Sequence, residues 1–119
     1  GEWILDLTLG SGICDEILIM DELNANLRFI FNENTETITF LNDPADLDLN
    51  SSNHNQIYSF DTITNELSIT ITYTDPGIEV ITFQANLIYD FSVNQFIGTY
   101  DNTWGDGEVC SNNLNIFKE

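Results

Sequence analysis

The stretch Gln95 to Phe117 constrains this chain most. It reads QFIGTYDNTWGDGEVCSNNLNIF, two extended arms around Gly105-Asp106-Gly107. Asp-Gly between strand-like arms marks a tight turn, because such a turn needs residues that tolerate positive φ. The second arm carries Cys110. The only other cysteine, Cys14, follows the first strand-like segment. A bond between them would staple the end of the chain to its beginning and turn a linear run of strands into a closed object. Two cysteines near opposite ends read as one disulfide of an oxidising compartment, or as two unpaired buried thiols. With two cysteines and one histidine, the chain is short of zinc ligands.

Period-two alternation runs through the rest. Glu2 to Gly10 puts Trp3, Leu5, Leu7 and Leu9 on one face. Asp15 to Leu23 is a short apolar run with acidic ends, a strand by its neighbours, although a helical turn or two has the same pattern. Asn24 to Phe31 turns Ala25, Leu27, Phe29 and Phe31 inward, and Thr35 to Leu41 returns with Ile38 and Phe40. Residues 42–55 form the longest irregular piece, rich in the Asp, Pro, Asn and Ser that favour turns. Gln56 to Ile63 is a less regular strand. Glu66 to Thr74 alternates most cleanly, with Leu67, Ile69, Ile71 and Tyr73 inward. After Asp75-Pro76-Gly77, a turn signature, Ile78 to Phe91 places Ile81, Phe83, Ala85, Leu87, Tyr89 and Phe91 on one face.

About nine short strands joined by short turns predict an all-β fold. The chain lacks the long crossovers that parallel pairing needs, so the sheet should be antiparallel and meandering. A staple between first and last strands suits an up-and-down β-barrel of about 8–9 strands spanning residues 1–119 as a single domain, with a β-sandwich as the alternative. At 119 residues the chain is long enough for one core.

Charge narrows the partners. Lys and Arg total 2 against 20 Asp and Glu, a net charge of −18. Such a surface repels nucleic acid and anionic membranes, whose binding rests on basic residues. No run approaches the roughly 18 apolar residues of a membrane span. The first strand begins almost at once with no signal peptide before it, as in a mature or trimmed chain. Screening by salt or cations would relieve the self-repulsion. An extracellular, cell-surface or periplasmic setting fits both charge and cysteines.

GEW at the first strand, Cys14 soon after, and FIGTYDNTWGDGEVCSNNLNIFK at the end resemble small secreted bacterial lipocalin-like (calycin-type) domains. The resemblance covers the two ends, about a third of the chain. It implies a barrel whose floor Trp3 closes and whose open end admits a small hydrophobic ligand. Lipocalins also carry a basic residue near the C-terminus that packs over that tryptophan; Lys118 and Arg28 are the candidates here.

The inward aromatics Trp3, Phe29, Phe31, Phe40, Tyr73, Phe83, Tyr89, Phe96 and Tyr100 either line a ligand cavity or simply fill the core. An eight-stranded barrel is just wide enough for either. Trp104, beside the turn, is either a recognition residue or a cross-strand partner. Asp43, Asp46, Asp48 and Asn50 space oxygen ligands as Ca2+ would want them, but Ser51 and Ile57 stand where a calcium loop needs Gly and Glu. The plainer reading is a solvated acidic face. Asp101, Asp106 and Glu108 form a weaker second cluster. His54 sits between two asparagines as a surface histidine would. No nucleophile elbow, metalloprotease motif or phosphate loop occurs, and nothing singles out a carboxylate pair. The expectation is therefore a non-enzymatic protein with no resident cofactor. It is either a secreted lipocalin-like barrel for a small apolar or amphipathic ligand, or a structural or self-assembling module of a cell surface or filament. A protease-inhibitor-like barrel is a weaker third reading.

Overall fold

Eight stretches form strands, and Glu66–Thr74 shows the alternation of inward apolar with outward polar residues most cleanly. The computed structural model describes residues 2–6, 27–41, 54–74, 80–103, 105, 107 and 109–118. The strands are β1 (Trp3–Asp6), β2 (Leu27–Asn32), β3 (Thr37–Phe40), β4 (Asn55–Asp61), β5 (Glu66–Thr74), β6 (Val80–Asp90), β7 (Gln95–Thr103) and β8 (Val109–Lys118). Each pairs antiparallel with the next, and β1 pairs with β8, so the sheet closes into an up-and-down barrel. That closure rules out the sandwich. The expected strand over Asp15 to Leu23 lies outside the described residues. Ile78 to Phe91 is shorter than expected, because Phe91 belongs to the following turn.

The register shows why alternation decides the fold. Leu67 faces Leu87, Ile69 faces Ala85 and Ile71 faces Phe83 across β5 and β6. Tyr100 faces Ala85, and Phe96 faces Ile116, across β6 to β8. A slip of one residue would move every one of these side chains to the solvent face. Phe29, Ile69, Leu114 and Ile116 are fully buried, and full burial of each contributes about 1.5–3 kcal/mol. Phe83 and Tyr100 stack with centroids 5.1 Å apart. Gly98 sits inward opposite Leu87, where a Cβ would overlap the Asn86 carbonyl and lie 2.7 Å from Leu87 Cα. The glycine lets β6 and β7 approach closely.

Outside the barrel, neutral side chains link neighbouring strands. Gln84 Nε2 donates to Ser68 Oγ at 2.9 Å, Asn115 Nδ2 to Gln95 Oε1 at 2.9 Å, and Asn32 Nδ2 to Thr39 Oγ1 at 2.8 Å. The single ion pair among the described residues, Arg28 with Glu2 at 3.7 Å, is solvent-exposed and worth little.

One barrel end is built by three turns of one design. Asn32, Asp61 and Asp90 each end a strand, four residues follow, and the fourth, Glu36, Asn65 or Asn94, has φ of 54°, 60° or 55°. Asp61 Oδ1 accepts the Ile63 and Thr64 N–H groups at 2.8 and 3.3 Å. Asp90 Oδ1 accepts the Ser92 hydroxyl at 2.6 Å and its N–H at 2.9 Å. These bonds favour the ionised carboxylates and hold Asp61 and Asp90 below the ordinary carboxyl value. At the other end, Gly107 has φ of 92° between β7 and β8, as the final hairpin needs. No cysteine among the described residues is a free thiol. Cys14 lies outside them.

Candidate functional site

The barrel interior is filled at mid-height and hollow at the end where the three turns lie. The cavity there has a volume of about 730 Å3 and is open to solvent. Seven aromatic rings line it. β1 brings Trp3, β2 Phe31 and β4 Tyr58 and Phe60. β6 brings Tyr89, the turn after it Phe91, and β7 Phe96.

The rings interlock. Phe96 is the hub, 5.5 Å from Trp3, 5.7 Å from Phe60 and 4.9 Å from Tyr89 between centroids. Phe31 packs edge-on to Trp3 at 5.7 Å and lies 4.5 Å from Tyr58. Tyr89 meets Phe91 at 4.9 Å. Tilted and edge-to-face pairs of this kind exceed simple area burial by about 0.5–1.5 kcal/mol each, so the wall is stiff although partly exposed.

Polar groups are few. Lys118 Nζ lies 5.7 Å from the centre of the Trp3 ring. Trp3 and Lys118 are register partners across the β1–β8 seam. Glu33 and Glu36, in the turn between β2 and β3, line the cavity on the Tyr58 side. Burial first, and then the charges of these two glutamates, push the Tyr58 phenol above its ordinary value. Burial alone does the same to Tyr100 in the core.

Of the expected ligand residues, Trp3, Phe31 and Tyr89 line this cavity. Phe29, Phe83 and Tyr100 instead belong to the packed core, at 0%, 2% and 2% exposure. The Tyr73 side chain lies outside the described residues, as do Asp43, Asp46, Asp48, Asn50 and Trp104. Among the described residues no three His, Cys, Asp or Glu side chains gather as a metal site requires. His54 is half-buried rather than freely solvated, and its Nδ1 accepts the Thr74 N–H at 3.2 Å. It fastens β4 to β5.

Two differences stand out. The resemblance implies that Trp3 closes the floor, whereas here it forms part of the wall of an open cavity at its own end of the barrel. The four-residue turns around it are too short to fold across the opening. Tyr58 and Phe60 were hidden in the sequence because the inward face of β4 begins with polar Gln56, while apolar Ile57 points outward. The partner strand is the signal that exposes them: Tyr58 and Phe60 pair with the inward Ile69 and Leu67.

No family model matches the chain, and neither the curated proteins nor the solved structures contain a significant match to it. The closed eight-stranded barrel is what it shares with calycin-type domains.

Proposed function

We propose that this barrel is a non-enzymatic carrier or receptor that binds one small apolar or amphipathic molecule in the cavity at the Trp3 end. The observation that carries the reading is an open cavity of about 730 Å3 with seven aromatic rings in its wall. Ligand pockets have this character: concave, mostly apolar, about 300–1,000 Å3, with few polar groups. Titration with the neutral apolar fluorophore N-phenyl-1-naphthylamine tests it. One saturable site is expected, weakened by Phe60→Asp at the rim. A linear, unsaturable response from the wild-type chain would overturn the reading.

The secreted, lipocalin-like character belongs to the same proposal. It includes a bond from Cys110 to Cys14, the only other cysteine. Losing a native disulfide from a small secreted domain costs about 2–5 kcal/mol. A denaturation midpoint unmoved by reductant would remove the staple and weaken the case for an oxidising compartment.

A second reading rests on a separate observation. Ile63, Phe91, Ile88, Val93 and Ile97 are exposed at 89%, 69%, 56%, 49% and 41%. All lie toward the cavity end, and Ile88 and Ile97 are cross-strand partners on the outer face. Apolar groups gathered this way suit self-association or a protein partner. Sedimentation equilibrium separates the readings: a monomer favours the carrier, a concentration-dependent dimer the assembly module.

A further inference from the structure

The chemistry of the cavity wall narrows the class of ligand, provided that the cavity is the binding site of the carrier reading, on which this step rests. We propose that the cavity selects small organic cations, an alkylated ammonium head on an apolar body.

The first support is the wall. Aromatic faces attract cations through their ring quadrupole, and several rings around one space form the kind of cage that holds quaternary ammonium groups. Trp3 already carries a cation, with Lys118 Nζ 5.7 Å from its ring centre. Phe31, Tyr58, Tyr89 and Phe96 supply further rings to the same space.

The second support is the pair of carboxylates. Glu33 and Glu36 line the cavity, and their charges are felt at Tyr58. Among the described residues neither has a salt-bridge partner. A neutral ligand gains a hydrogen bond from them at most, and an anionic one is repelled. A cationic head beside Tyr58 meets an aromatic face and two unpaired carboxylates together.

The third support is the field of the whole molecule. A net charge of −18 raises the local concentration of cations and lowers that of anions. Among the described residues that line the cavity, Lys118 is the one cation an anionic amphiphile would meet.

Competition against the bound naphthylamine tests the inference with octyltrimethylammonium, octanol and octanoate, which share one chain length. Octyltrimethylammonium should displace the fluorophore at about ten-fold lower concentration than octanol, in keeping with a cation held by rings and carboxylates. Octanoate should be weakest. The Glu33→Gln/Glu36→Gln variant should lose most of the cation preference, with octyltrimethylammonium weakened far more than octanol. That result separates local selection from general attraction to an acidic surface. Equal displacement by all three, or a cation preference intact in the double variant, would overturn the inference and leave the cavity reading standing. So would a preference for octanoate, which would assign Lys118 as an anion anchor. Failure of the fluorophore itself to saturate would remove the cavity reading, and this inference with it.

Discussion

Asn102 is fully buried, yet neither its Nδ2 nor its Oδ1 finds a hydrogen-bond partner among the described residues. The register points it into the barrel between Phe83 and Cys110. A buried amide left unmade costs about 1–3 kcal/mol, whereas an apolar side chain of similar size carries no such penalty. Asn102→Leu should therefore stabilise the fold by about 1 kcal/mol, seen as a higher urea midpoint with an unchanged slope. A lower midpoint would mean that the amide is satisfied in solution, for instance by a buried water. Residues of this kind mark where sequence reading stops. Trp3, Phe31 and Tyr89 were legible, because each continues a run of inward apolar residues. Asn102 continues the run of Phe96, Gly98 and Tyr100, but its polarity resembles the approach to a turn. Separating cavity from core among inward aromatics needs their height in the barrel, which alternation does not encode. Phe83 and Trp3 look equivalent in sequence and differ only in how many strands reach past them.

Two of the three turns at the cavity end, those that follow Asp61 and Asp90, share a pH response. The folded pKa values of Asp61 and Asp90 lie below the ordinary 3.8. Their hydrogen bonds therefore stabilise the fold above that value, and this contribution is lost as pH falls through the lower, folded values. Carboxyl carbon shifts should show both residues titrating below aspartates that accept no such hydrogen bonds; ordinary titration would mean that the turns are open in solution. Strand pairing is uneven as well. β5 pairs with β6, β6 with β7 and β7 with β8 through long continuous ladders, whereas among the described residues β3 meets β4 through the single register pair Thr37 and Ile57. Local opening follows the weakest ladder. Amides of β3 should exchange with solvent faster than those of β6 and β7. Uniform protection around the barrel would show that the seam is as cooperative as the rest. The sequence carried a hint of this difference: Glu66 to Thr74 alternates without interruption, while Thr35 to Leu41 is followed by the long polar stretch 42–55.

Across the whole molecule, the charge imbalance sets the response to salt. Ordinarily, screening removes repulsion and attraction together. Here the described surface has one exposed ion pair to lose, and the strands are linked by neutral Gln, Asn, Ser and Thr hydrogen bonds that salt does not screen. Stability should therefore rise steadily with sodium chloride, measured as the denaturation midpoint. A flat response would indicate that bound counterions already neutralise the acids. Antiparallel, meandering pairing was legible at this scale from turn spacing and the absence of crossovers. Closure was expected only from the staple between Cys14 and Cys110, with a sandwich as the alternative, and the β1–β8 pairing decides it. The location of the hollow was not legible, because it depends on which ends of the strands the short turns join.

Trp3 and Lys118 stand side by side on adjacent strands, so the ring of strands closes at a seam that no turn spans. In a protein cut to these eight strands, a short peptide bridge from Lys118 to Trp3 would complete the ring, and the chain could then be recut at the Phe91–Asn94 turn to give a circular permutant with the same strands. The bridge would cross the rim of the hollow. Its length would then become an adjustable gate, slowing exchange of the ligand the carrier reading proposes without altering any side chain of the cavity wall.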